Sequence, residues 1–158
     1  MSGNLAEARQ RAGYRGVVAA RVAGITYRQL DYWARTGLLI PTVQEASGSG
    51  SQRIYDFKDI LVLKLVRRLL DVGISLQQIR VAVEQLRSAG LKDLSAVTLM
   101  SDGVSVYLCR SNSDVIDLLA KGQGVFGIAV GKVLREIEDT LTGIESREMN
   151  AERKYLLL

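Results

Sequence analysis

Gly24-Ile25-Thr26-Tyr27-Arg28-Gln29-Leu30-Asp31-Tyr32-Trp33-Ala34-Arg35-Thr36-Gly37 is the stretch on which the fold turns. Thr26 followed three residues later by Gln29 is a capping box. The hydroxyl accepts from a free backbone N–H of the first turn, and the glutamine side chain reaches back to the cap. A helix therefore starts after Thr26, Gly37 closes it, and Pro41 prevents its resumption. Upstream, the apolar run Val17 to Ala23 ends at Gly24, the small residue that a tight helix-to-helix turn prefers. Two helices joined in this way have the geometry of a helix-turn-helix, whose second helix enters the DNA major groove through its N-terminal residues. On that helix Arg28, Tyr32 and Arg35 share one face, while Leu30, Trp33 and Gly37 form the opposing stripe, expected to pack on Val17, Val18 and Ala20. The cationic and phenolic face is then free for phosphates and base edges, where arginine donates two parallel hydrogen bonds and tyrosine one. A solvated surface has the same composition, so the residues alone leave both readings open.

Downstream, after the Gly/Ser stretch Ser47 to Ser51, Arg53-Ile54-Tyr55 alternates as an extended segment. Asp56 caps a helix rich in Ile60, Leu61, Leu63, Leu65, Val66, Leu69 and Leu70 that stops at Gly73. Ser75 with Gln78 repeats the capping-box pattern, and Ile79, Val83 and Leu86 line one face of a helix ending before Gly90. Past Gly90 the period changes. Val97 to Met100 and Val104 to Tyr107 are β-prone runs around Asp102-Gly103, which predicts a β-hairpin. Ser111 with Asp114 starts a short helix through Lys121, and Val130, Val133, Leu134, Ile137, Leu141 and Ile144 mark a final amphipathic helix.

The chain has 158 residues, 47% apolar and 24% charged, with one Cys, one Pro and no His. That balance can bury a core. Without histidine there is no His-based triad, no His general base and no imidazole zinc site, and a single thiol cannot build a soft-metal cage. One cysteine also forms no internal disulfide, which points to a reducing cytoplasm. The polar start lacks the apolar core of a signal peptide, and neither Ile60 to Val66 nor Val125 to Val130 approaches the length of a membrane span. Charge is uneven. Residues 1–88 hold 13 Lys and Arg against 7 Asp and Glu, a net of +6, whereas 89–158 carry a net of −2. A basic half joined to a mildly acidic one suggests a nucleic-acid-binding module attached to something else.

The run from Tyr14 through Gly24-Ile25-Thr26-Tyr27-Arg28-Gln29-Leu30-Asp31-Tyr32-Trp33 and Gly37-Leu38-Leu39 to Pro41, then Gln52-Arg53-Ile54-Tyr55, then Gly73-Ile74-Ser75-Leu76-Gln77-Gln78-Ile79, resembles the DNA-binding domain of the MerR family of bacterial transcription regulators. The resemblance implies a winged helix-turn-helix with Thr26 to Gly37 as recognition helix and Gly48 to Tyr55 as wing. It implies that Arg28 and Tyr32 touch bases or phosphates and that Arg53 and Tyr55 form the wing's R-x-Y grip on the backbone. With Thr26, Tyr27 and Arg35 they make up the candidate DNA-binding set. Asp31 departs from the basic residue common at its position; it would repel phosphate and is expected to pair with Arg28 or Arg35. The family further implies a homodimer on double-stranded DNA at a palindromic promoter, distortion of that DNA, and engagement of RNA polymerase.

The expected fold class is thus mainly α with an α+β C-terminal part. It comprises a winged helix-turn-helix domain over 12–88, then a small α/β effector or dimerisation domain over 92–146 containing the hairpin and the amphipathic final helix, with 1–11 and 147–158 as flexible tails. The candidates for dimerisation are the hairpin and the final helix, with Val133, Leu134, Ile137 and Leu141 as its seam; an intrachain core explains the same residues equally well. A small-molecule effector is left open, and no cofactor, metal or membrane is expected. Gly122-x-Gly124-x-x-Gly127 matches a dinucleotide fingerprint but follows a helix and lacks a surrounding βαβ unit, so a tight packing loop is the simpler reading. Cys109 reads as a small buried residue, and Asp114 with Asp117 as solvated carboxylates, leaving no catalytic constellation. The rival to a DNA-binding regulator is a protein-interaction adaptor that keeps the fold without specific DNA binding. A nucleotide-binding enzyme built on the 122–127 glycines lacks a catalytic group.

Overall fold

Strand β1 (Tyr14–Arg15) leads directly into helix α1 (Gly16–Ala23), which ends where Gly24 turns left-handed at φ 76°. A side chain is strained in that conformation, which explains glycine at the turn. The computed structural model describes residues 13–43, 53–124 and 126–156. Helix α2 (Tyr27–Arg35) begins at the expected capping box: Thr26 Oγ1 accepts from the Gln29 amide at 3.0 Å, and the Thr26 amide donates to Gln29 Oε1 at 3.1 Å. It closes at Gly37, φ 77°, after which the Leu38 amide returns to the Trp33 carbonyl.

The buried side of α2 is Leu30, Trp33 and Ala34; Gly37, expected on this stripe, lies beyond the last turn and is exposed. Opposite it, α1 offers Gly16, Ala19, Ala20 and Ala23, whereas Val17, expected to pack here, is 68% exposed. The helical period explains the difference, since 16, 19, 20 and 23 share a face that 17 does not. Small residues on that face let the helices approach closely: a Cβ added at Gly16 would stand 3.1 Å from the Tyr27 ring and 3.2 Å from Leu30.

Two-residue strand β2 (Ile54–Tyr55) pairs antiparallel with β1, Tyr14 opposite Tyr55. The extended segment expected at Arg53 to Tyr55 thus includes β2, while its partner β1 is too short to leave a periodic trace in the sequence. Helix α3 (Phe57–Asp71) opens at a reciprocal box in which Asp56 and Asp59 each accept from the other's amide. It is apolar on nearly every side and therefore central, packed against α1, α4 (Leu76–Ser88) and the final helix. Asp59, buried at its first turn, also accepts from the Thr42 amide at 2.8 Å and hydroxyl at 2.7 Å. Arg87 at the end of α4 lies 3.4 Å from the same carboxylate and donates to the Ile40 carbonyl, so the segment after α2 is clasped between α3 and α4. Ser75 caps α4 by accepting from Gln78, the serine half of the expected box.

After short helix α5 (Leu91–Leu94), β3 (Thr98–Ser101) and β4 (Val106–Cys109) form the expected hairpin, with its second strand starting two residues later than the apolar run. Asp102 causes the shift. Its Oδ1 accepts from the amides of Val104 and Ser105 at 2.9 and 2.7 Å and keeps both in the turn. Helix α6 (Asn112–Ala120) starts at Ser111 as read, and β5 (Phe126–Ala129), which the sequence reading placed in a loop, joins the sheet in the order β4-β3-β5.

Helix α7 (Val130–Leu156) follows at once. Residues 147–156, expected as a tail, continue this helix; 1–11, 157 and 158 lie outside the described residues. Val133, Ile137 and Leu141 are buried against the chain's own α3 and α1, so the intrachain alternative holds for this seam. Leu99 and Ile128 of the sheet belong to the same apolar cluster, which runs from Ala19 to Ile144. No helix among the described residues is long and apolar enough to cross a membrane.

Candidate nucleic-acid interface

With its apolar side packed on α1, α2 turns Tyr27, Arg28, Tyr32 and Arg35 to solvent. Arg28 forms no hydrogen bond or ion pair among the described residues, so its guanidinium remains available to an external acceptor. Tyr27 and Tyr32 expose more than half of their surface, an unusual amount for a ring. Thr26 is exposed too, but its hydroxyl is engaged at the cap; its role is to start the helix.

Asp31 organises the middle of this surface. Its Oδ2 accepts from Arg35 Nε at 2.8 Å, one of the two expected pairings, while its Oδ1 accepts from Arg53 Nη1 at 2.6 Å. The second bond joins α2 to the residue before β2, 22 positions away. No local rule reaches that far, which is why sequence reading misses it. The Arg53 hydrogen bond, then that of Arg35, holds the Asp31 carboxyl below the ordinary aspartate range against the opposing effect of desolvation.

Of the R-x-Y pair, Tyr55 departs from the expected backbone grip. Tyr55 is fully buried at 0% exposure and belongs to the core, so it cannot meet DNA. Arg53 is 17% exposed at its side chain and is turned toward Asp31. Tyr55 lies on the inward side of β2, whereas Arg53, just before that strand, reaches Asp31 on the exposed side of α2. Of the expected wing, 48–55, only 53–55 fall among the described residues.

Two further exposed arginines, which no motif singled out, belong to the basic N-terminal half. Arg15 of β1 and Arg21 of α1 are exposed, on the elements that precede α2, the position from which the first helix of a helix-turn-helix crosses the DNA backbone. Elsewhere, Cys109 is buried and its thiol pushed up by desolvation, and the described residues hold no group of three or more potential metal ligands. Glu136 of α7 meets Arg68 at 3.1 Å and Lys64 at 3.4 Å, turning two cations of α3 toward the C-terminal part.

Residues 14–86 match the family model described as MerR HTH family regulatory protein. An uncharacterized HTH-type transcriptional regulator of Mycobacterium tuberculosis (strain ATCC 25618 / H37Rv) is 63% identical over 132 residues, covering 84% of this chain and 57% of the relative. The HTH-type transcriptional regulator HmrR of Sinorhizobium medicae is 35% identical over 83 residues, 51% of this chain and 54% of the relative. The chain thus spans little more than half the length of these curated relatives. Among solved structures, a MerR family transcriptional regulator from Bacillus cereus aligns at 17% identity and TM-score 0.42, over 92% of this chain and 84% of that one. A MerR family regulator lacking the sensor domain, bound to promoter DNA, aligns at 17% and 0.40, over 92% and 89%.

Proposed function

Residues 14–86 belong to the MerR HTH family of regulatory proteins, and from that premise we propose that this chain is a sequence-specific DNA-binding transcription regulator. The observation that carries the reading is the division of α2: Tyr27, Arg28, Tyr32 and Arg35 point outward from a helix whose other side, Leu30, Trp33 and Ala34, is locked into the core. A rigid helix with exposed arginine and tyrosine is suited to the major groove, where arginine pairs with guanine edges and both residue types reach phosphates. In this reading the protein works in the cytoplasm, without catalysis, as a homodimer on a palindromic promoter element. It distorts the DNA, offsets the deformation energy with backbone contacts, and so lets RNA polymerase engage. Because the α7 seam is enclosed within the chain, the hairpin is the dimerisation candidate that remains from the sequence.

Fluorescence anisotropy against random duplexes and duplexes enriched from a random pool, over a salt series, tests this. The expected outcome is a steep salt slope and a preference of about 10³ or more for the enriched duplex. Arg28→Ala should weaken binding to the enriched duplex by about 1–3 kcal/mol and relax base preference. Equal losses on both duplexes would remove Arg28 from base reading. A folded dimer that binds no DNA at low salt would transfer the fold to the protein-interaction adaptor.

A further inference from the structure

Both oxygens of Asp31 are engaged by arginines, Arg35 from the same helix at 2.8 Å and Arg53 from beside β2 at 2.6 Å. This carboxylate stands on the exposed side of α2, 34% accessible, between Arg28 and Arg35, where the proposed groove surface should be most cationic. Its two partners differ in freedom. The Arg35 side chain is 62% exposed and still presents donors outward, whereas Arg53 is largely enclosed.

From this geometry we propose that Asp31 is a specificity-determining residue, an internal counter-ion that withholds Arg35 and Arg53 from indiscriminate phosphate binding and fixes α2 against β2. The inference rests on α2 being the DNA-reading helix. Two effects follow from one carboxylate. Phosphate attraction is independent of sequence, so cancelling one positive charge at this surface lowers affinity for every duplex alike. The tie between α2 and β2 also holds Arg35 in one orientation, and preorganisation counts only where the protein docks in register on its own site. The first lowers both affinities and the second restores only the cognate one, so the second opens the gap between cognate and random DNA. An aspartate is ionised at neutral pH, and the hydrogen bonds that depress the Asp31 carboxyl only widen that margin, so the counter-ion is permanent under working conditions.

The test is the salt series on Asp31→Asn, with Asp31→Gln as a second neutral variant, each first checked for folding by thermal melting. Each neutralised phosphate steepens log K against log salt by about 0.9, which at 0.1 M salt is a gain of about eightfold. We expect random-duplex affinity to rise by that factor, the slope to steepen by about 0.9, and the enriched duplex to gain less, so that discrimination falls. In Asp31→Asn combined with Arg53→Gln, which restores the wild-type net charge, slope and random affinity should return to wild-type values. Unchanged random affinity and slope in both neutral variants would overturn the proposal, leaving Asp31 a purely structural tie. So would an equal gain on both duplexes, which makes it a brake on affinity alone. If the wild-type protein binds neither duplex at low salt, the DNA-binding reading fails and this inference with it; wild-type binding indifferent to Asp31 defeats the inference only.

Discussion

Tyr55 shows how far a motif can mislead about a side chain. The family resemblance implied that it reaches out with Arg53 to a phosphate backbone, yet Tyr55 is in the core while Arg53 is bonded to Asp31. A tyrosine on a two-residue strand that leads into the apolar helix of Phe57 and Ile60 turns inward to the core. Asp31 provides a measurable consequence. Its folded-state pKa lies below the ordinary value, with the Arg53 hydrogen bond as the largest cause. The stabilising effect of such a group is therefore fully present above the unfolded-state pKa and is lost as pH falls through the folded one. An NMR titration of the Asp31 side-chain carboxyl should show a midpoint below that of ordinary exposed aspartates, and Arg53→Gln should move it upward. A midpoint that ignores Arg53→Gln would mean the two side chains are not paired in solution.

At the scale of elements, legibility tracked length and punctuation. The helices from Thr26, Asp56, Ser75 and Ser111 announce themselves because their caps use side chains with one local task, and all four begin where expected. Strands β1 and β5 do not, because a two-residue run carries too little alternation to be distinguished from a loop and β5 is interrupted by a glycine, whereas Arg53 to Tyr55 was legible as extended. Removing a cap tests the first half of this statement. Thr26→Ala loses the Gln29 hydrogen bond and should cost about 1 kcal/mol, read as a lowered melting temperature with the fold retained. Packing between elements gives a second prediction. A Cβ added at Gly131 would stand 2.4 Å from the Ser95 carbonyl oxygen, a backbone atom that cannot rotate away. Gly131→Ala should therefore push the first turn of α7 off the segment after α5 and destabilise by about 1–3 kcal/mol. A wild-type melting temperature in that variant would show that α7 does not sit against Ser95 in solution.

For the whole molecule, the three- and four-residue spacing of Val130, Val133, Ile137, Leu141 and Ile144 establishes that one face of α7 is buried but not what buries it, since a partner subunit and a neighbouring helix demand the same pattern. The neighbour proves to be the chain's own α3, itself the centre of the helix-turn-helix half, with Glu136 bridging to Lys64 and Arg68 at the rim. Those partly exposed ion pairs contribute little; the apolar contact dominates. Stability of the helix-turn-helix half should accordingly depend on residues far from it in sequence. Ile137, fully buried, leaves a cavity beside α3 when truncated, and Ile137→Ala should cost about 2–5 kcal/mol. The sole tryptophan, Trp33, is packed on the buried side of α2 and reports unfolding there by fluorescence, while far-UV circular dichroism reports all helices together. If one core unites the chain, both signals in Ile137→Ala shift to the same lower temperature, because a cooperative unit has one transition whatever the probe. A Trp33 transition left at its wild-type temperature while the dichroism midpoint falls would mean that α7 belongs to a separately melting part, and that the chain's two halves are coupled only through their link.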